Sequence, residues 1–462
     1  MRGFLIAGPA SGVGKTTISL AIAAGLDARG FCVQAFKCGP DFLDTGHLSA
    51  VTGRPALNLD GWMLDRDGIC EAFAEGSADA EIAIVEGMMG LFDGISREGE
   101  SGSSAEIAKI LSLPVILVVD ASKSARSIAA VIRGFEGFDS ELRFAGVVLN
   151  GVASDGHYRL LADAVVRNCT TPVLGWVPQQ QSVHIPERHL GLHTAAEIDW
   201  NEKRRALEIL AKERLNLDLL LGPEFQLEAH KVSVSTANAA RSAASNITIG
   251  VARDAAFCFY YQDNLNLLER AGARLFEFSP LQDAHLPPAL DALYLGGGYP
   301  ELHAEQLSSN AALLEEIRKF AVSGRPVYAE CGGMMYLGER LRTSDGQVHT
   351  MAGVLPLETE MTEKLVRFGY VEINLLQDCL LGARGTVLRG HSFHHSRCTN
   401  TRDIGPAFQA RYTLANATDE EGYARANIFA SYIHLHFRGA PEIAKRFVVL
   451  AKQAASRIAE VR

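Results

Sequence analysis

The sequence predicts an α/β protein made of two parallel-sheet domains. Its 462 residues exceed what one ordinary hydrophobic core supports. Short, continuously apolar segments rich in Val and Ile recur along the chain, which is typical of parallel strands covered by helices on both faces. This series stops once, in a small and polar stretch, and then begins again. We therefore expect two α/β domains joined by a linker.

The first domain, placed at 1–224, alternates strand-like and helix-like segments. Helical segments such as TTISLAIAAGLDARG separate the apolar ones, and this alternation predicts an open parallel sheet. The segments predicted as buried strands are FLIAG, CVQAFK, EIAIVEG, LPVILVVD, RFAGVVLNG and TPVLGWVP.

The alternation is lost at 225–246, where the polar sequence has no hydrophobic period and is predicted to be the linker. The second domain, placed at 247–462, opens with another strand and helix series. Its predicted strands are ITIGVARD, RLFEFSP, ALYLGGG and PVYAEC.

Composition and charge limit the expected partners and location. The formal net charge of −10 argues against binding along the phosphates of a nucleic acid. The sequence lacks the roughly 18 continuous apolar residues of a membrane span, and its beginning lacks the apolar run of a signal peptide. Eight cysteines without a CxxC pair are typical of reduced thiols. We expect a cytoplasmic protein that binds neither nucleic acid nor membrane.

A glycine-rich loop between the first strand and the first helix predicts an ATP site. In such a loop the backbone N–H groups face the phosphates, a lysine reaches the terminal phosphates, and a hydroxyl binds Mg²⁺. The loop GPASGVGKTT is one residue longer than usual, and a glycine turn without a ligand is the alternative; the flanking strand and helix favour the nucleotide. Asn150, at the end of RFAGVVLN, is either an adenine ligand or a turn residue. The loop residues predicted to bind ATP are Gly8, Gly12, Gly14, Lys15, Thr16 and Thr17.

Four acidic residues are predicted to surround this loop. Asp41 and Asp44 follow the second strand, Glu86 ends EIAIVEG, and Asp93 lies on the loop EGMMGLFDG. Each alone is commonly a cap or an exposed loop acid. Together they lie where open α/β sheets bind ligands, and they predict Mg²⁺ coordination and the positioning of a carboxylate substrate for phosphoryl transfer. The expected Mg²⁺ ligands are Thr16, Asp41 and Glu86.

A second function class shares the phosphate loop. ATPase switches of the partitioning type carry an additional lysine early in the loop, at the position of Ala10 in this chain. The missing lysine and the second domain favour a synthetase over a switch.

A cysteine at a predicted strand-to-helix turn is a candidate nucleophile. Cys331 follows the strand VYAE and precedes two glycines, and the next helix's N-terminus favours a thiolate there. Gly297 and Gly298, after an earlier strand, are candidates for an oxyanion hole, and His434 is a candidate base. An inert buried cysteine is the alternative reading, and the residues alone leave both open.

The segment GHSFHH places His391, His394 and His395 close together. Metal ligation gains no support from paired cysteines nearby, so we favour the polar wall of a substrate pocket, with a structural histidine cluster as the alternative.

Six motifs follow one another along the chain: GPASGVGKTT, KCGPDFLDTGH, VEGMMGLFDG, LYLGGGYPE, AECGGMMYL and SYIHLHF. In this order they resemble those of the cobyrinic acid a,c-diamide synthase and hydrogenobyrinic acid a,c-diamide synthase family, over essentially the whole chain. The resemblance implies a dethiobiotin-synthetase-like N-terminal domain, in which the longer phosphate loop is normal. It implies a flavodoxin-like class I glutamine amidotransferase domain of the type that has Cys and His but lacks the usual Glu of the triad.

The resemblance also implies a reaction. ATP, Mg²⁺ and glutamine or ammonia convert the a and c acetates of a corrinoid into amides through an acyl phosphate, in cobalamin biosynthesis. Cys331 is the implied nucleophile, His434 its activator, and Gly297 and Gly298 the oxyanion loop. Ser392 departs from the family, which often has GHEFH. The sequence does not decide between a cobalt-containing and a metal-free corrin substrate. Nickel-sirohydrochlorin a,c-diamide synthase is the nearest alternative enzyme. The resemblance implies a homodimer.

Overall fold

The computed structural model of the chain describes residues 1–95, 99–179, 183, 185, 187–188, 191–192, 194–227, 247–399, 401, 405–413, 417–425 and 427–461. It divides into two compact units, Met1–Ser235 and Thr236–Arg462. The boundary falls inside the predicted linker, of which residues 228–246 lie outside the described residues. Among the described residues, no helix combines the length and apolar character needed to cross a membrane.

The first unit is built on a seven-stranded sheet. Its strands are β1 (Arg2–Ala7), β2 (Val33–Cys38), β3 (Leu57–Leu59), β4 (Ile82–Glu86), β5 (Val115–Asp120), β6 (Phe144–Val152) and β7 (Val173–Pro178). They run parallel in the order β3-β2-β4-β1-β5-β6-β7. Six of them lie in the six predicted segments; β3 was not predicted because three residues are too short for a hydrophobic period. A small hairpin adds β8 (Glu187–Arg188) and β9 (Gly191–Leu192).

Helices cover this sheet, and the first of them begins directly after the phosphate loop. They are α1 (Lys15–Asp27), α2 (Leu43–Thr52), α3 (Arg66–Gly76), α4 (Ser104–Leu111), α5 (Ile128–Phe138), α6 (Asp155–Asn168) and α7 (Trp200–Arg214). Helix α1 is buried nearly throughout because most of its residues are apolar, and it packs against α2 and α7. The first turn of α1 is thereby held against the central strands.

Residues 225–227, which were assigned to the linker, pack with the first unit. Phe225 is fully buried, and its ring lies 5.7 Å from that of Phe4. The amide of Leu227 donates to the carbonyl oxygen of Met1 at 3.1 Å. Apolar packing and strand-like pairing therefore keep these residues with the first unit.

The second unit contains a ten-stranded mixed sheet and a four-stranded sheet. Its strands are β10 (Ile247–Ala252), β11 (Ala273–Phe278), β12 (Ala292–Leu295), β13 (Val327–Glu330), β14 (Arg340–Arg342), β15 (Val348–Thr350), β16 (Glu358–Met361), β17 (Arg367–Leu375), β18 (Val387–His394), β19 (Ser396–Thr399), β20 (Pro406–Tyr412), β21 (Ala417–Arg425), β22 (Ile428–Ser431) and β23 (His434–Leu435). Its helices are α8 (Gln262–Arg270), α9 (Ala304–Ser309), α10 (Ala311–Val322), α11 (Gly332–Leu337) and α12 (Glu442–Val461).

The large sheet has the order β11-β10-β12-β13-β22-β21-β20-β17-β18-β23. Its first five strands are parallel; four of them, β10 to β13, were predicted and β22 was not. The other strands extend the sheet in antiparallel fashion. The extension brings the two-residue strand β23 to the far edge, beside β18. The four-stranded sheet has the order β15-β14-β16-β19.

Candidate functional site

The phosphate loop is shaped by glycines and held by a side chain from β6. Gly12 and Gly14 have φ of 78° and 95°, a conformation that favours glycine. A Cβ on Gly14 would lie 2.1 Å from the amide nitrogen of Asn150, which donates to the carbonyl oxygen of Val13 at 2.9 Å. Asn150 therefore supports the loop from below; its predicted contact with adenine stays a prediction.

Lys15 lies in the first turn of α1 and joins two loops. Its ammonium donates to the carbonyl oxygens of Ala10 at 2.8 Å and Met89 at 2.6 Å. Burial, and secondly the charge of Lys37, lower the pKa of Lys15 to about 8. Asp93 shapes the second loop, because its carboxylate accepts from the amide of Gly90 at 2.9 Å.

A buried lysine and two carboxylates form the centre of this site. Lys37, on β2, is the register partner of Glu86 on the adjacent parallel strand β4. Its ammonium lies 2.5 Å from a carboxylate oxygen of Asp44 and 2.8 Å from one of Glu86. The Thr16 hydroxyl donates to the same oxygen of Glu86 at 2.7 Å. The predicted Thr16, Asp44 and Glu86 are thus brought together, around a lysine that the sequence reading missed.

The charges in this cluster depend on one another. Burial opposes a charge on Lys37, but Asp44 and Glu86 outweigh it and hold the pKa of Lys37 well above its usual range. Burial also opposes the charge of Asp44, yet Lys37 keeps its pKa below the usual value. For Glu86 burial prevails over Lys37 and raises the pKa to about 7. Within the cluster, the single ammonium of Lys37 therefore balances only part of the negative charge of the two carboxylates.

Asp41 lies one step outside the cluster. Its carboxylate accepts from the amide of Asp44 at 2.8 Å, at the start of α2, and Asn58 donates to its backbone carbonyl at 2.8 Å. Burial and the neighbouring Asp44 raise the pKa of Asp41 to about 6. The geometry gives Asp41 the task of shaping the turn and places Asp44, rather than Asp41, beside Thr16.

The donor set beside Thr16 fits Mg²⁺. One oxygen of Asp44 (Oδ1) and one of Glu86 (Oε2) are buried and have no hydrogen-bond partner within the described residues. Hard oxygen ligands of this kind, with a threonine hydroxyl and phosphate oxygens, are those that Mg²⁺ prefers. The described residues contain no group of three or more His, Cys, Asp or Glu side chains arranged for a metal. Two carboxylates and a hydroxyl would need the nucleotide's phosphates to complete the coordination.

In the second unit, Cys331 occupies a sharp turn between β13 and α11. Its φ of 46° and ψ of −104° are strained for a residue with a Cβ, and its amide donates to the carbonyl oxygen of Ser431 at 2.7 Å. The next residues must be glycines: a Cβ on Gly333 would lie 2.2 Å from the carbonyl oxygen of Leu295, and one on Gly332 would lie 2.9 Å from Pro300. The chain therefore makes the sharp strand-to-helix turn that the sequence predicts at Cys331.

His434, on β23, lies against this turn. A hydrogen bond joins its ring to the Cys331 thiol, and its Nδ1 lies 3.3 Å from the carboxylate of Glu330. All three side chains are buried. Burial opposes a charge on the ring, but the bonds with Cys331 and Glu330 outweigh it and raise the pKa of His434 to about 9. The predicted pairing of Cys331 with His434 is present, together with a glutamate that was not predicted.

The two predicted oxyanion glycines do different things. The Gly297 amide donates to the carbonyl oxygen of Phe259 at 3.2 Å, so it is engaged within the loop. A Cβ on Gly297 would lie 2.5 Å from Cε1 of His434. The amide nitrogen of Gly298 lies 3.2 Å from the position a Cβ on Gly332 would take. Gly297 therefore makes room for His434, and the oxyanion role of the Gly298 amide stays a prediction.

The predicted histidine cluster borders His434. His391 faces His434 across β18 and β23, with ring centroids 5.6 Å apart. His394 stacks on Tyr432 at 3.8 Å and bonds the carbonyl oxygen of Ser396 through Nδ1. Burial lowers the pKa of His394 to about 4 and that of His391 well below its usual value. These neutral rings form a wall beside His434.

The residues that sequence reasoning missed had a weak signal. Lys37 and Glu330 are charged residues in the last two positions of otherwise apolar strands, β2 and β13. Parallel strands present their carboxyl ends to the ligand side of the sheet. A charged residue at the end of an apolar strand therefore indicated that a site lies at this edge of the sheet. Which side chain each residue pairs with depends on which strands are neighbours.

These features define a class of protein: a phosphate-loop synthetase unit joined to a glutamine amidotransferase unit. Residues 4–192 match the CobQ/CobB/MinD/ParA nucleotide binding domain, and residues 248–442 match the CobB/CobQ-like glutamine amidotransferase domain. These matches confirm both predicted folds.

Relatives are similar along the whole chain. A cobyrinate a,c-diamide synthase of Syntrophotalea carbinolica is 44% identical over 453 residues, covering 96% of this chain and 97% of its own. Proteins of the same name from Salmonella typhimurium and Listeria innocua are each 41% identical, covering 97% and 96% of this chain and 98% of their own. The chain belongs to the cobyrinate a,c-diamide synthase family, which confirms the resemblance inferred from its motifs.

Proposed function

We propose that this chain amidates the a and c acetate groups of cobyrinic or hydrogenobyrinic acid, using ATP and glutamine, in cobalamin biosynthesis. The observation that carries the proposal is the presence, in one chain, of the Lys37–Asp44–Glu86 cluster beside a phosphate loop and of the Cys331–His434 pair at a sharp strand-to-helix turn. The first activates a carboxylate, and the second releases ammonia.

In the synthetase unit a substrate carboxylate becomes an acyl phosphate. A carboxylate oxygen attacks the γ-phosphorus of ATP, the bond to the bridging oxygen breaks, and ADP leaves. Lys15 and Lys37 supply positive charge for the phosphoryl oxygens as negative charge shifts. Thr16, Asp44 and Glu86 would hold Mg²⁺, which neutralises phosphate charge when bound.

In the amidotransferase unit glutamine is hydrolysed to glutamate and ammonia. The Cys331 thiol gives its proton to Nε2 of His434, and the thiolate attacks the side-chain amide carbon of glutamine. The amides of Gly298 and of Gly332, the residue after Cys331, would be the donors to the developing oxyanion. His434 returns the proton to the leaving nitrogen, so ammonia departs and a γ-glutamyl thioester remains. Water then cleaves the thioester and restores Cys331.

Ammonia completes the reaction at the acyl phosphate. Its lone pair attacks the carbonyl carbon, phosphate leaves, and a primary amide remains after loss of a proton. One ATP and one glutamine are consumed for each amide, so two of each are consumed for the diamide.

Mass spectrometry of complete reactions tests the proposal. Each reaction contains ATP, Mg²⁺, glutamine and one of cobyrinic acid, hydrogenobyrinic acid or nickel-sirohydrochlorin. We expect one corrin to gain two amides. Cys331→Ala is the matched control: it should lose glutamine-dependent amidation and keep amidation with ammonium salts. Amidation of none of the three, by a wild-type protein that binds ATP, would overturn the proposal.

A further inference from the structure

The structure assigns a positioning role to Glu330, the residue before the nucleophile: its carboxylate orients His434 and completes a Cys331–His434–Glu330 relay. This inference rests on the proposed glutamine-dependent function. It supplies a third member to a site that the family resemblance describes as lacking the usual glutamate.

The sharp turn at Cys331 explains how two consecutive residues reach one imidazole. In a regular strand successive side chains point to opposite faces of the sheet. Glu330 ends β13, and the positive φ of 46° at Cys331 breaks this alternation directly after it. As a result the carboxylate of Glu330 lies at Nδ1 of His434, while the Cys331 thiol is hydrogen-bonded to the same ring. The unusual backbone conformation of Cys331 therefore brings both the Glu330 carboxylate and the Cys331 thiol to the His434 ring.

The carboxylate of Glu330 is fixed in place by its other contacts. One oxygen, Oε1, accepts from the amide of Leu435 at 3.1 Å and from the Tyr328 hydroxyl. The second oxygen, Oε2, faces Nδ1 of His434 at 3.3 Å. Leu435 directly follows His434, so the Glu330 carboxylate contacts both the backbone of β23 and the ring of His434. With 1% of its surface exposed, Glu330 has no room to turn towards solvent.

The neighbouring charged residues on the His434 side are committed elsewhere. His436 packs against the ring of Tyr261 at 4.7 Å, and burial lowers its pKa to about 4, so it is neutral. Arg438 pairs with the buried carboxylate of Asp263 at 2.7 Å. Glu330 is the carboxylate that faces His434.

This contact decides which nitrogen of His434 takes the proton of Cys331. A carboxylate at Nδ1 favours the ring form that carries a proton there, which leaves the lone pair of Nε2 for the thiol. After proton transfer the ring is positively charged inside a buried site, and Glu330 balances that charge. Without the carboxylate, both the ring form and the ion pair with the thiolate lose their support.

Glutamine-dependent and ammonia-dependent amidation, measured on the full-length enzyme, test the inference. We expect Glu330→Gln to lower kcat with glutamine on the order of 10²-fold or more, to leave KM for glutamine nearly unchanged, and to keep amidation with ammonium salts. Tyr328→Phe is the matched control, since it removes one hydrogen bond to Glu330 but keeps its charge; it should change kcat much less.

The pH profile separates positioning from a structural role. Loss of the proton from His434 sets the alkaline limb of kcat/KM for glutamine, and Glu330→Gln should move that limb to lower pH. Glu330→Asp keeps the charge and should keep the limb near its wild-type position, even if kcat falls, and it serves as the test if the Gln variant does not fold. The other titratable groups facing this pair from the surrounding elements are Cys331, His391, His394, Tyr260, Tyr294 and Tyr328.

The outcomes distinguish this inference from the proposed function. A wild-type protein without glutamine-dependent amidation would refute the proposed function. An active wild type together with a folded Glu330→Gln variant of equal kcat and an unmoved alkaline limb would refute only the role of Glu330. An Asp variant whose limb moves as far as that of the Gln variant would do the same.

Discussion

Replacing Lys37 with methionine should destabilise the first unit strongly. The ammonium of Lys37 lies within 2.8 Å of two carboxylates, and its side chain is 4% exposed. Removing one partner of a buried ion pair costs about 3–5 kcal/mol, because the other charge remains buried and unpaired. Here two carboxylates would remain. We expect Lys37→Met to lower the free energy of unfolding of the first unit by about this amount at neutral pH without Mg²⁺.

Tryptophan fluorescence in a denaturant titration measures this loss selectively. The three tryptophans of the chain, Trp62, Trp176 and Trp200, all lie in the first unit. Arg29→Ala is the control: it breaks an ion pair with Asp218, which is 82% exposed, and should cost only about 0–1 kcal/mol.

The pH dependence of the stability loss provides a second test, because it depends on the two carboxylates that remain. Without Lys37, the pKa of Asp44 should rise in the folded state, and that of Glu86, which is already raised, should rise further. Groups whose folded pKa exceeds the unfolded one stabilise the fold below the unfolded pKa and lose that contribution as pH rises. The deficit of Lys37→Met should therefore shrink in acid, and Mg²⁺ with ATP should restore more stability to the variant than to the wild type. A loss below about 1 kcal/mol at neutral pH would refute the assignment of Lys37 as the balancing charge.

Three further predictions concern the two sites. Gly297→Ala should reduce glutamine-dependent but not ammonia-dependent amidation, because its Cβ would lie 2.5 Å from His434; Gly405→Ala, where a Cβ meets nothing within 4 Å, should leave both rates unchanged. Asp44→Asn should raise the Mg²⁺ concentration needed for amidation far more than Asp41→Asn does, as a Mg²⁺ titration at fixed ATP would show; equal effects would contradict the placement of Asp44 beside Thr16. The pKa of about 9 at His434 lies above its unfolded value, so its contribution to stability is complete below about pH 6.5 and disappears as pH rises through 9. Denaturation of the second unit, followed at several pH values, should show this decline, and His434→Gln should remove it.

Most strands of the parallel first sheet and of the parallel half of the large second sheet could be predicted, because burial on both faces gives a strand a continuously apolar sequence. The antiparallel extension in the second unit could not be predicted in the same way. Strand β17 mixes buried and exposed positions and begins with Arg367, and β23 has only two residues. Such strands are defined by their neighbours more than by their own composition.

The site residues divide along the same line. Cys331 and Lys15 could be predicted because each stands beside glycines in one short segment: Gly14 precedes Lys15, and Gly332 and Gly333 follow Cys331. The oxyanion role of Gly297 was predicted from the same kind of signal, but its amide is paired with Phe259, across a separation of 38 positions in sequence. A contact of that kind leaves no local mark.

Charged residues at strand ends show what the local sequence cannot predict. Glu86 and Asp120 each end an apolar parallel strand, and the sequence around them offers the same argument for a ligand site. Asp120 is exposed and accepts from the amide of Ser122, two residues on, so it shapes a turn. Glu86 is buried because Lys37, on the adjacent strand, is in register with it. The distinction lies in the neighbour, and β2 and β4 become neighbours only when the chain crosses over between them. Since a buried charge without a partner is strongly unfavourable, a glutamate can be retained at such a strand end only where the topology also delivers a cation. The crossover that makes Lys37 the partner of Glu86 is therefore as much a part of the synthetase site as the phosphate loop.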